Sequence, residues 1–439
     1  MKDNKYPKVL VISHNVFSTT SNMGKTMAAF FNGWPSENIS QIYFHTEVPN
    51  SDICKRYFRI TDFDMVEAIF KFKKPGKVLN EKDIKLNTAS SRVDNGIMAK
   101  IYRVGRKRKP YMYLIRNFLW ETNNKWRTPN LIKWIDDYNP EVLFYAAGDY
   151  SFSIKIALNI CKLKKIPMVV FIGDDYYFLN MYKFSLINWF VKKKFKAVFS
   201  NMFSYLSCFI AASDKMQREY SKEFNKCGYA LMTPTKVSSI VNSANQNKIS
   251  YIGNLGYNRW KSLIEIGKCL KHMGQVLNIY SGENRKNVIE QLNLENGIIF
   301  HGAVSSSKVT EIINLSTILV HVESMDKINR EKTRYSMSTK IADSLGSGVC
   351  IFAYGPEDVS SIDYLVQNDA ACIVTRKEDL QNKLQEILNN EQLRKKYANN
   401  ALQLAFKRHD LNNNTQLFYK IMTEACIKKE GNTYENFTG

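Results

Sequence analysis

The segment STKIADSLGSG, residues 338–348, lies between two apolar segments of the chain. Residues 316–323 and 349–354 are short and mainly apolar, which is typical of buried strands. The segment between them begins with Ser338 and Thr339, either of which can cap a helix. The pattern therefore predicts a strand–helix–strand unit of an α/β sheet.

Two charged residues on this predicted helix suggest a ligand. The free N–H groups and the positive dipole end of a helix start favour phosphate. Lys340 adds a cation in the first turn, and Asp343 follows three residues later on the same face. A cation for phosphate and a carboxylate for sugar hydroxyls suit a nucleotide diphosphate. The alternative is a capped helix whose Lys340 and Asp343 face water, and the spacing alone favours neither.

Two motifs resemble the retaining GT-B glycosyltransferases of the glycosyltransferase family four type. The first runs from Glu323 through residues 338–343 and the Gly348 turn to the Ala-Tyr-Gly-Pro sequence at 353–356. The second, YIGNLGYNRWK at residues 251–261, resembles the opening of the second domain of that fold. The resemblance spans nearly the whole chain and is closest to members that build bacterial surface polysaccharides, including capsules.

This resemblance implies an α/β fold with two Rossmann-like domains that face each other across a cleft. We place the acceptor-binding domain at residues 1–235 and the domain for the nucleotide-sugar donor at residues 236–408. The boundary falls in the polar stretch 233–248, which contains Pro234 and many Ser and Asn residues. Residues 409–439 are expected to form a helix that crosses back toward the first domain, followed by a tail.

The resemblance also assigns candidate residues for the donor. The residues expected to neutralise the departing diphosphate are three cations, Arg259, Lys261 and Lys340, together with the helix start at Ser338 and Thr339. Asp343 matches the second acidic residue of the family, which is expected on the ribose hydroxyls. Glu323 lies where the family places its first acid. The two acids are 20 residues apart here, farther than in the family, so an insertion or a departure separates them.

The first domain offers polar residues at strand ends. Alternating strands and helices predict a parallel sheet, in which ligands bind beyond the carboxyl ends of the strands. His14, Asp149, Asp174 and Asp175 follow predicted strands. His14 and Asp175 are expected to face the sugar and the acceptor, and helix capping is the alternative for the acidic pair. Two adjacent carboxylates are weak evidence for a metal. Since the resembled enzymes generally need no obligate metal, we expect no cofactor.

Gly24 precedes Lys25 and Thr26, as in a phosphate-binding P-loop. The P-loop requires another glycine five residues earlier, where this chain has Thr19, so we reject that assignment. In the resembled family this first loop brings backbone close to the bound sugar, and a side chain at Gly24 would block that approach. The alternative is an ordinary glycine at a helix start.

Composition indicates the compartment and the kind of partner. The 439-residue chain carries 62 Lys and Arg against 41 Asp and Glu, a net charge of +21, which implies an anionic partner. Its eight cysteines form no CxxC pair, which fits a reducing compartment. We recognise neither a signal peptide nor an apolar stretch of transmembrane length. We therefore expect a cytoplasmic protein.

Two segments combine basic and aromatic residues. Residues 100–127 contain nine Lys or Arg against one acid, Glu121, and residues 176–213 contain no acid. Such segments suit nucleic acid, an anionic membrane surface, or a solvated basic face over a packed helix. We favour peripheral attachment to the inner face of the cell membrane, without nucleic acid.

The sequence therefore predicts a glycosyltransferase. It would move a sugar from a nucleotide-sugar to a lipid-linked saccharide, with retention at the anomeric carbon. The alternatives are a nucleotide-sugar epimerase on the same fold and a basic protein that binds nucleic acid or membrane without catalysis. An epimerase would need a base or paired acids at the sugar carbon, and none is identified.

Overall fold

A computed structural model describes residues 6–19, 22–80, 110–179, 185–241 and 248–431. The chain divides into two compact units. Unit 1 contains residues 1–211, 217–229 and 415–439, and unit 2 contains residues 212–216 and 230–414. The boundaries at 235 and 408 remain a prediction.

Unit 1 is built on an eight-stranded sheet with the order β4-β3-β2-β1-β5-β6-β7-β8. Its strands are β1 (Val9–Ser13), β2 (Ile39–Tyr43), β3 (Arg56–Arg59), β4 (Lys77–Leu79), β5 (Val142–Ala146), β6 (Met168–Ile172), β7 (Cys208–Ala211) and β8 (Gly228–Ala230). Neighbouring strands pair in parallel along the part of this order that runs β3-β2-β1-β5-β6-β7. Strand β4 pairs antiparallel to β3. β1 and β5 are completely buried, as expected for central strands of a covered parallel sheet.

The described part of unit 1 contains six helices that lie wholly within it: α1 (Asn22–Phe30), α2 (Asp62–Phe70), α3 (Pro110–Glu121), α4 (Pro129–Tyr138), α5 (Ser151–Lys164) and α6 (Leu186–Tyr205). Helix α7 (Asp214–Phe224) begins in unit 2 and continues in unit 1. The last helix of the chain, Leu411–Gly431, contributes Phe418 to the core of unit 1. The Phe418 ring lies 4.8 Å from the Phe31 ring and 5.4 Å from the Phe144 ring, measured between centroids.

Unit 2 contains a six-stranded parallel sheet with the order β11-β10-β9-β12-β13-β14. Its strands are β9 (Ile249–Ile252), β10 (Leu277–Tyr280), β11 (Ile298–Gly302), β12 (Ile318–Val322), β13 (Cys350–Tyr354) and β14 (Cys372–Val374). Its helices are α8 (Arg259–His272), α9 (Lys286–Ile289), α10 (Ser306–Asn314), α11 (Lys327–Thr333), α12 (Thr339–Leu345), α13 (Ser360–Gln367), α14 (Leu380–Asn389) and α15 (Glu391–Arg408). Helix α16 (Leu411–Gly431) begins here and continues in unit 1.

Both sheets have the strand order of a doubly wound, Rossmann-like domain. The order reverses between β1 and β5 in unit 1 and between β9 and β12 in unit 2. In such sheets the crevice at the reversal, beyond the carboxyl ends of the strands, is where ligands bind. The prediction of an α/β fold with two Rossmann-like domains is confirmed.

The strand–helix–strand unit around residues 338–348 is also confirmed. Strands β12 and β13 flank α12, and Ser338 is the N-cap residue of that helix. The sequence analysis missed α11, which lies between β12 and α12 and accounts for part of the long separation of the two acids. Among the described helices, none is long and apolar enough to span a bilayer.

Candidate functional site

A strained turn follows strand β9 at the reversal point of unit 2. Tyr257 and Asn258 both have left-handed backbone angles, with φ of 54° and 60°. This region costs a residue with a side chain about 1–2 kcal/mol. The Asn258 side-chain amide donates a hydrogen bond to Oδ2 of Asp326 over 3.2 Å. The turn is therefore held in part by the residue that caps α11.

Asp326 is built to act as this anchor. Its Oδ1 accepts hydrogen bonds from the backbone N–H and the side-chain amide of Asn329, and its Oδ2 accepts one from Oγ of Ser324. Burial raises the pKa of Asp326, but these hydrogen bonds outweigh burial and lower it to about 2. The carboxylate therefore stays ionised at neutral pH and joins α11 to the turn after β9.

Arg259, the first residue of α8, forms a bidentate ion pair with Glu323 at the end of β12. Its Nη2 lies 2.8 Å from Oε1 and its Nε lies 3.1 Å from Oε2. The Glu323 side chain is only 2% exposed and that of Arg259 is 16% exposed. Burial lowers the pKa of Arg259, but the Glu323 carboxylate raises it more, so the net pKa lies above its ordinary value. The Arg259 guanidinium therefore stays charged beside Glu323.

Both the carboxylate and the backbone carbonyl of Glu323 accept hydrogen bonds from residues of unit 2. Ser361 Oγ donates to Oε1 over 3.4 Å, and Ser262 Oγ donates to the backbone carbonyl over 2.9 Å. A Cβ added at Gly355 would lie 3.0 Å from the Cβ of Glu323, so a side chain there would press on Glu323. The structure thus directs Glu323 at Arg259, and its place in the donor site as the family's first acid remains a prediction. Its effect on a ligand would be exerted through Arg259.

His321 lies on the same strand beside this pair. Its Nε2 lies 2.9 Å from Ser361 Oγ and 4.0 Å from Glu323 Oε1. Burial lowers its pKa to about 4, although Glu323 opposes that shift. His321 is therefore neutral at pH 7 and leaves the ion pair between Arg259 and Glu323 without a second cation.

The two candidate lysines of unit 2 are exposed. Lys261 lies in the first turn of α8, and its Nζ is 5.5 Å from the centroid of the Trp260 ring. Thr339 and Lys340 lie in the first turn of α12 and are also exposed, beside the half-buried Ser338. Helix α8 follows β9, and α12 follows β12 after the short helix α11. The starts of α8 and α12 therefore come after two neighbouring strands of one sheet. The structure therefore brings the predicted basic residues to the same edge.

Asp343 is half-buried and faces the segment that enters unit 2. Its Oδ1 accepts a hydrogen bond from Oγ1 of Thr235 over 2.9 Å. A Cβ at Gly346 would lie 2.7 Å from the carbonyl oxygen of Lys236, which shows how closely this segment packs on α12. One oxygen of Asp343 is thus engaged within the protein, and its contact with ribose remains a prediction.

His14 follows β1 at the reversal point of unit 1. Its ring packs edge-on against His45, with centroids 5.2 Å apart, and its Nδ1 is buried without a hydrogen-bond partner in the described residues. Arg116 lies over the Tyr150 ring at 3.8 Å, and its Nε donates to Asp62 over 2.9 Å. Burial, with the nearby charge of Arg116, lowers the pKa of His14 to about 3. His14 is therefore a neutral hydrogen-bonding group.

Asp175 has a local role in the loop after β6, where no helix begins in described residues 173–179, so it is not the helix cap that the sequence analysis gave as the alternative. Its Oδ1 accepts hydrogen bonds from Tyr220 Oη at 2.6 Å and from the backbone N–H groups of Phe178 and Tyr177 at 2.9 and 3.1 Å. The residue is 6% exposed. It fixes the loop after β6 and joins it to α7, while its role toward an acceptor remains a prediction.

Gly24 lies within α1, close to the loop that precedes the helix. A Cβ there would lie 2.2 Å from the carbonyl oxygen of Val16 and 3.0 Å from the Cβ of Ser18. The loop backbone itself therefore requires glycine. The sequence analysis gave two reasons for Gly24, the approach of a sugar and an ordinary glycine at a helix start. The observed packing supplies a reason of its own, and the approach of a sugar remains a prediction.

A cavity of about 620 Å³ lies at the edge of unit 2 beyond β13 and β14. It is lined by Lys215, Met325, Arg330, Pro356, Glu357, Asp358, Asp363, Thr375 and Arg376. The Arg330 guanidinium donates a hydrogen bond to the Asp358 carboxylate over 2.6 Å, and the two form an ion pair. Across the described residues, no cluster of three or more His, Cys, Asp or Glu residues is arranged to hold a metal.

Comparison with known proteins defines the class of fold. Residues 241–419 match a protein family described as glycosyl transferase-like. Sucrose-phosphate synthase from Thermosynechococcus elongatus superposes with a TM-score of 0.60 at 10% identity, covering 96% of this chain and 99% of that chain. The chain therefore has the GT-B fold. No match is found among curated proteins.

Two further solved structures share this fold. HepE from Anabaena, in complex with UDP, gives a TM-score of 0.60 at 12% identity and covers 95% of this chain and 100% of that chain. WaaG, a glycosyltransferase involved in lipopolysaccharide biosynthesis, gives 0.55 at 12% identity and covers 94% and 99%. At these identities the similarity establishes the fold alone.

Proposed function

We propose that the protein transfers a sugar from a nucleotide-sugar to a saccharide acceptor. The single observation that carries this proposal is the arrangement at the reversal point of unit 2. Arg259 is held there by Glu323, and the exposed Lys261 and Lys340 begin two helices on neighbouring strands. The glycosyl transferase-like match over residues 241–419 and the UDP bound to HepE support this reading.

In this proposal unit 2 binds the donor. As the bond to the sugar breaks, negative charge grows on the departing diphosphate and the sugar ring becomes positively charged. Fixed cations aimed at the diphosphate stabilise that state more than the ground state. Glu323 positions the Arg259 guanidinium, and Lys261 and Lys340 supply mobile charges. No step in this scheme uses a metal or another cofactor.

Unit 1 takes the acceptor side of the proposal. His14 is neutral and half-buried, and it follows β1 at the reversal point, so we place its ring toward a hydroxyl group of the sugar. The resemblance to family four glycosyltransferases supports retention at the anomeric carbon and an acceptor that is lipid-linked, in bacterial surface polysaccharide synthesis. To transfer a sugar to a lipid-linked acceptor, the enzyme would be cytoplasmic and attached to the inner face of the membrane.

Donor binding tests the assignment of unit 2. A panel of nucleotide-sugars should contain at least one that raises the unfolding temperature, because a ligand that binds only the folded state stabilises it. For that donor, Asp343→Asn should weaken binding roughly 10- to 150-fold in calorimetry, the equivalent of losing a hydrogen bond to a charged group. The fold should be unchanged, since the amide can still accept a hydrogen bond from Thr235.

The matched control is Thr235→Val, which removes the protein partner of Asp343 and keeps the carboxylate. Donor affinity should change less in this variant than in Asp343→Asn. If Asp343→Asn binds the donor like the wild type, the carboxylate serves only the packing of α12 and does not contact ribose.

A further inference from the structure

Large apolar side chains project into solvent from three neighbouring helices of unit 1. Helix α3 packs against both α2 and α6. We define the exposed apolar face as Phe70 of α2, Ile115 and Phe118 of α3, and Leu186, Trp189 and Phe190 of α6. Leu186 is 87% exposed, and the other five side chains are between 53% and 74% exposed. A group of large exposed apolar side chains on a folded domain marks an interaction site.

Helix α6 is buried along its second half and exposes apolar side chains along its first half. Its second half is anchored, because Phe195, Phe199 and Phe203 recur every four residues and are buried. Its first two turns lie beyond that anchored part and present Leu186, Trp189 and Phe190 to solvent. Because the buried half holds the helix in place, the apolar first half is held out rigidly.

The charge around this face is positive. Asp62 is paired with Arg116, and Asp64 caps the start of α2. Glu67 is paired with Lys71 and Lys73, and Glu121 with Lys155 and Lys194. These four are the only acids on the three helices, and each is engaged. Helix α6 carries four lysines and no acid; Lys192 donates to the backbone carbonyls of Tyr176 and Leu179, Lys194 pairs with Glu121, and Lys193 is exposed. The Lys193 Nζ lies 4.9 Å from the Trp189 ring.

We propose that this exposed apolar face docks the protein on an anionic lipid bilayer. Trp, Phe and Leu side chains at a helix start, with lysines one turn later, match the acyl boundary and the negatively charged headgroup layer above it. A nucleic acid offers phosphates but no apolar layer for Leu186 or Ile115. The docking rests on the proposed function, because it names the surface by which the enzyme would attach to the membrane. Its test requires neither donor nor acceptor, so a failure of docking is distinguishable from a failure of sugar transfer.

The test measures binding of the full-length protein to phosphatidylcholine vesicles with and without about 30% phosphatidylglycerol, by flotation. The wild type should float with anionic vesicles, bind neutral ones about tenfold less, and dissociate as salt is raised. The triple variant Leu186→Ser/Trp189→Ser/Phe190→Ser should bind anionic vesicles at least about tenfold more weakly. Brominated lipids should quench wild-type fluorescence more than that of Trp189→Phe.

The matched control replaces three exposed apolar residues of unit 2, as Leu294→Ser/Leu315→Ser/Phe406→Ser. These side chains are 63%, 46% and 64% exposed. This control should bind like the wild type. Equal binding of the α6 variant and the wild type to anionic vesicles would overturn the proposal, as would equal quenching of the wild type and Trp189→Phe. Tight binding to duplex DNA at physiological salt, without vesicle binding, would assign the positive surface to nucleic acid instead.

Discussion

Replacing Arg259 by Ala should lower turnover by about 10²–10³-fold, the scale for losing one donor to a developing anion. Affinity for the nucleotide-sugar should fall less, because the charge on the diphosphate grows only as the bond to the sugar breaks. Arg259 is the cation whose position is fixed, since Glu323 holds its guanidinium in a bidentate pair. Single-turnover and steady-state kinetics separate the two effects.

Lys261→Ala should show a loss on the same scale, about 10²–10³-fold in turnover. Lys268→Ala is the matched control, because Lys268 is an exposed cation on the same helix but two turns farther from the strand end. It should keep wild-type turnover. If Arg259→Ala and Lys261→Ala are both folded and turn over like Lys268→Ala, the basic turn does not act on the diphosphate and unit 2 is not the donor-binding half.

Replacing Arg259 by Met should also destabilise the protein, by about 3–5 kcal/mol in the free energy of unfolding. The reason is the partner: the Glu323 side chain is 2% exposed, and its carboxylate would be left buried without the cation beside it. Denaturant unfolding measures this loss. Much of the loss should be recovered in Arg259→Met/Glu323→Gln, because the uncharged amide tolerates burial better than a lone carboxylate.

The control for this cycle is Glu323→Gln alone. It should cost less than Arg259→Met, since Arg259 is 16% exposed and can still reach water. An additive double variant, in which Glu323→Gln restores nothing, would show that the two residues are not energetically coupled, and the positioning role of Glu323 would fail with it.

The sequence predicted the elements whose signals are local. Short apolar runs and the capping residue Ser338 sufficed to predict β12, α12 and β13. Helix α11 was missed because its sequence, KINREKT, is almost entirely polar and has no apolar stripe. The available signal was Asp326, a good N-cap residue, at the start of that polar stretch.

Residues that act on one another across the fold were harder to predict. Arg259 and Glu323 are 64 positions apart, and only the pairing of β9 with β12 brings their strand ends together. Local competition was also underestimated. Asp175 bonds the backbone two and three residues ahead, a habit of Asp that follows from its short side chain. Gly24 is explained by a carbonyl oxygen in its own loop.

The most direct test of sugar transfer is product analysis after incubation with nucleotide-sugars and saccharide acceptors. The account predicts release of a nucleoside diphosphate only when an acceptor is present, and NMR should show a new glycoside with the anomeric configuration of the donor. Arg259→Ala should abolish nearly all of that release. Conversion of one nucleotide-sugar into its epimer, without any glycoside, would contradict the account and assign the site to an epimerase.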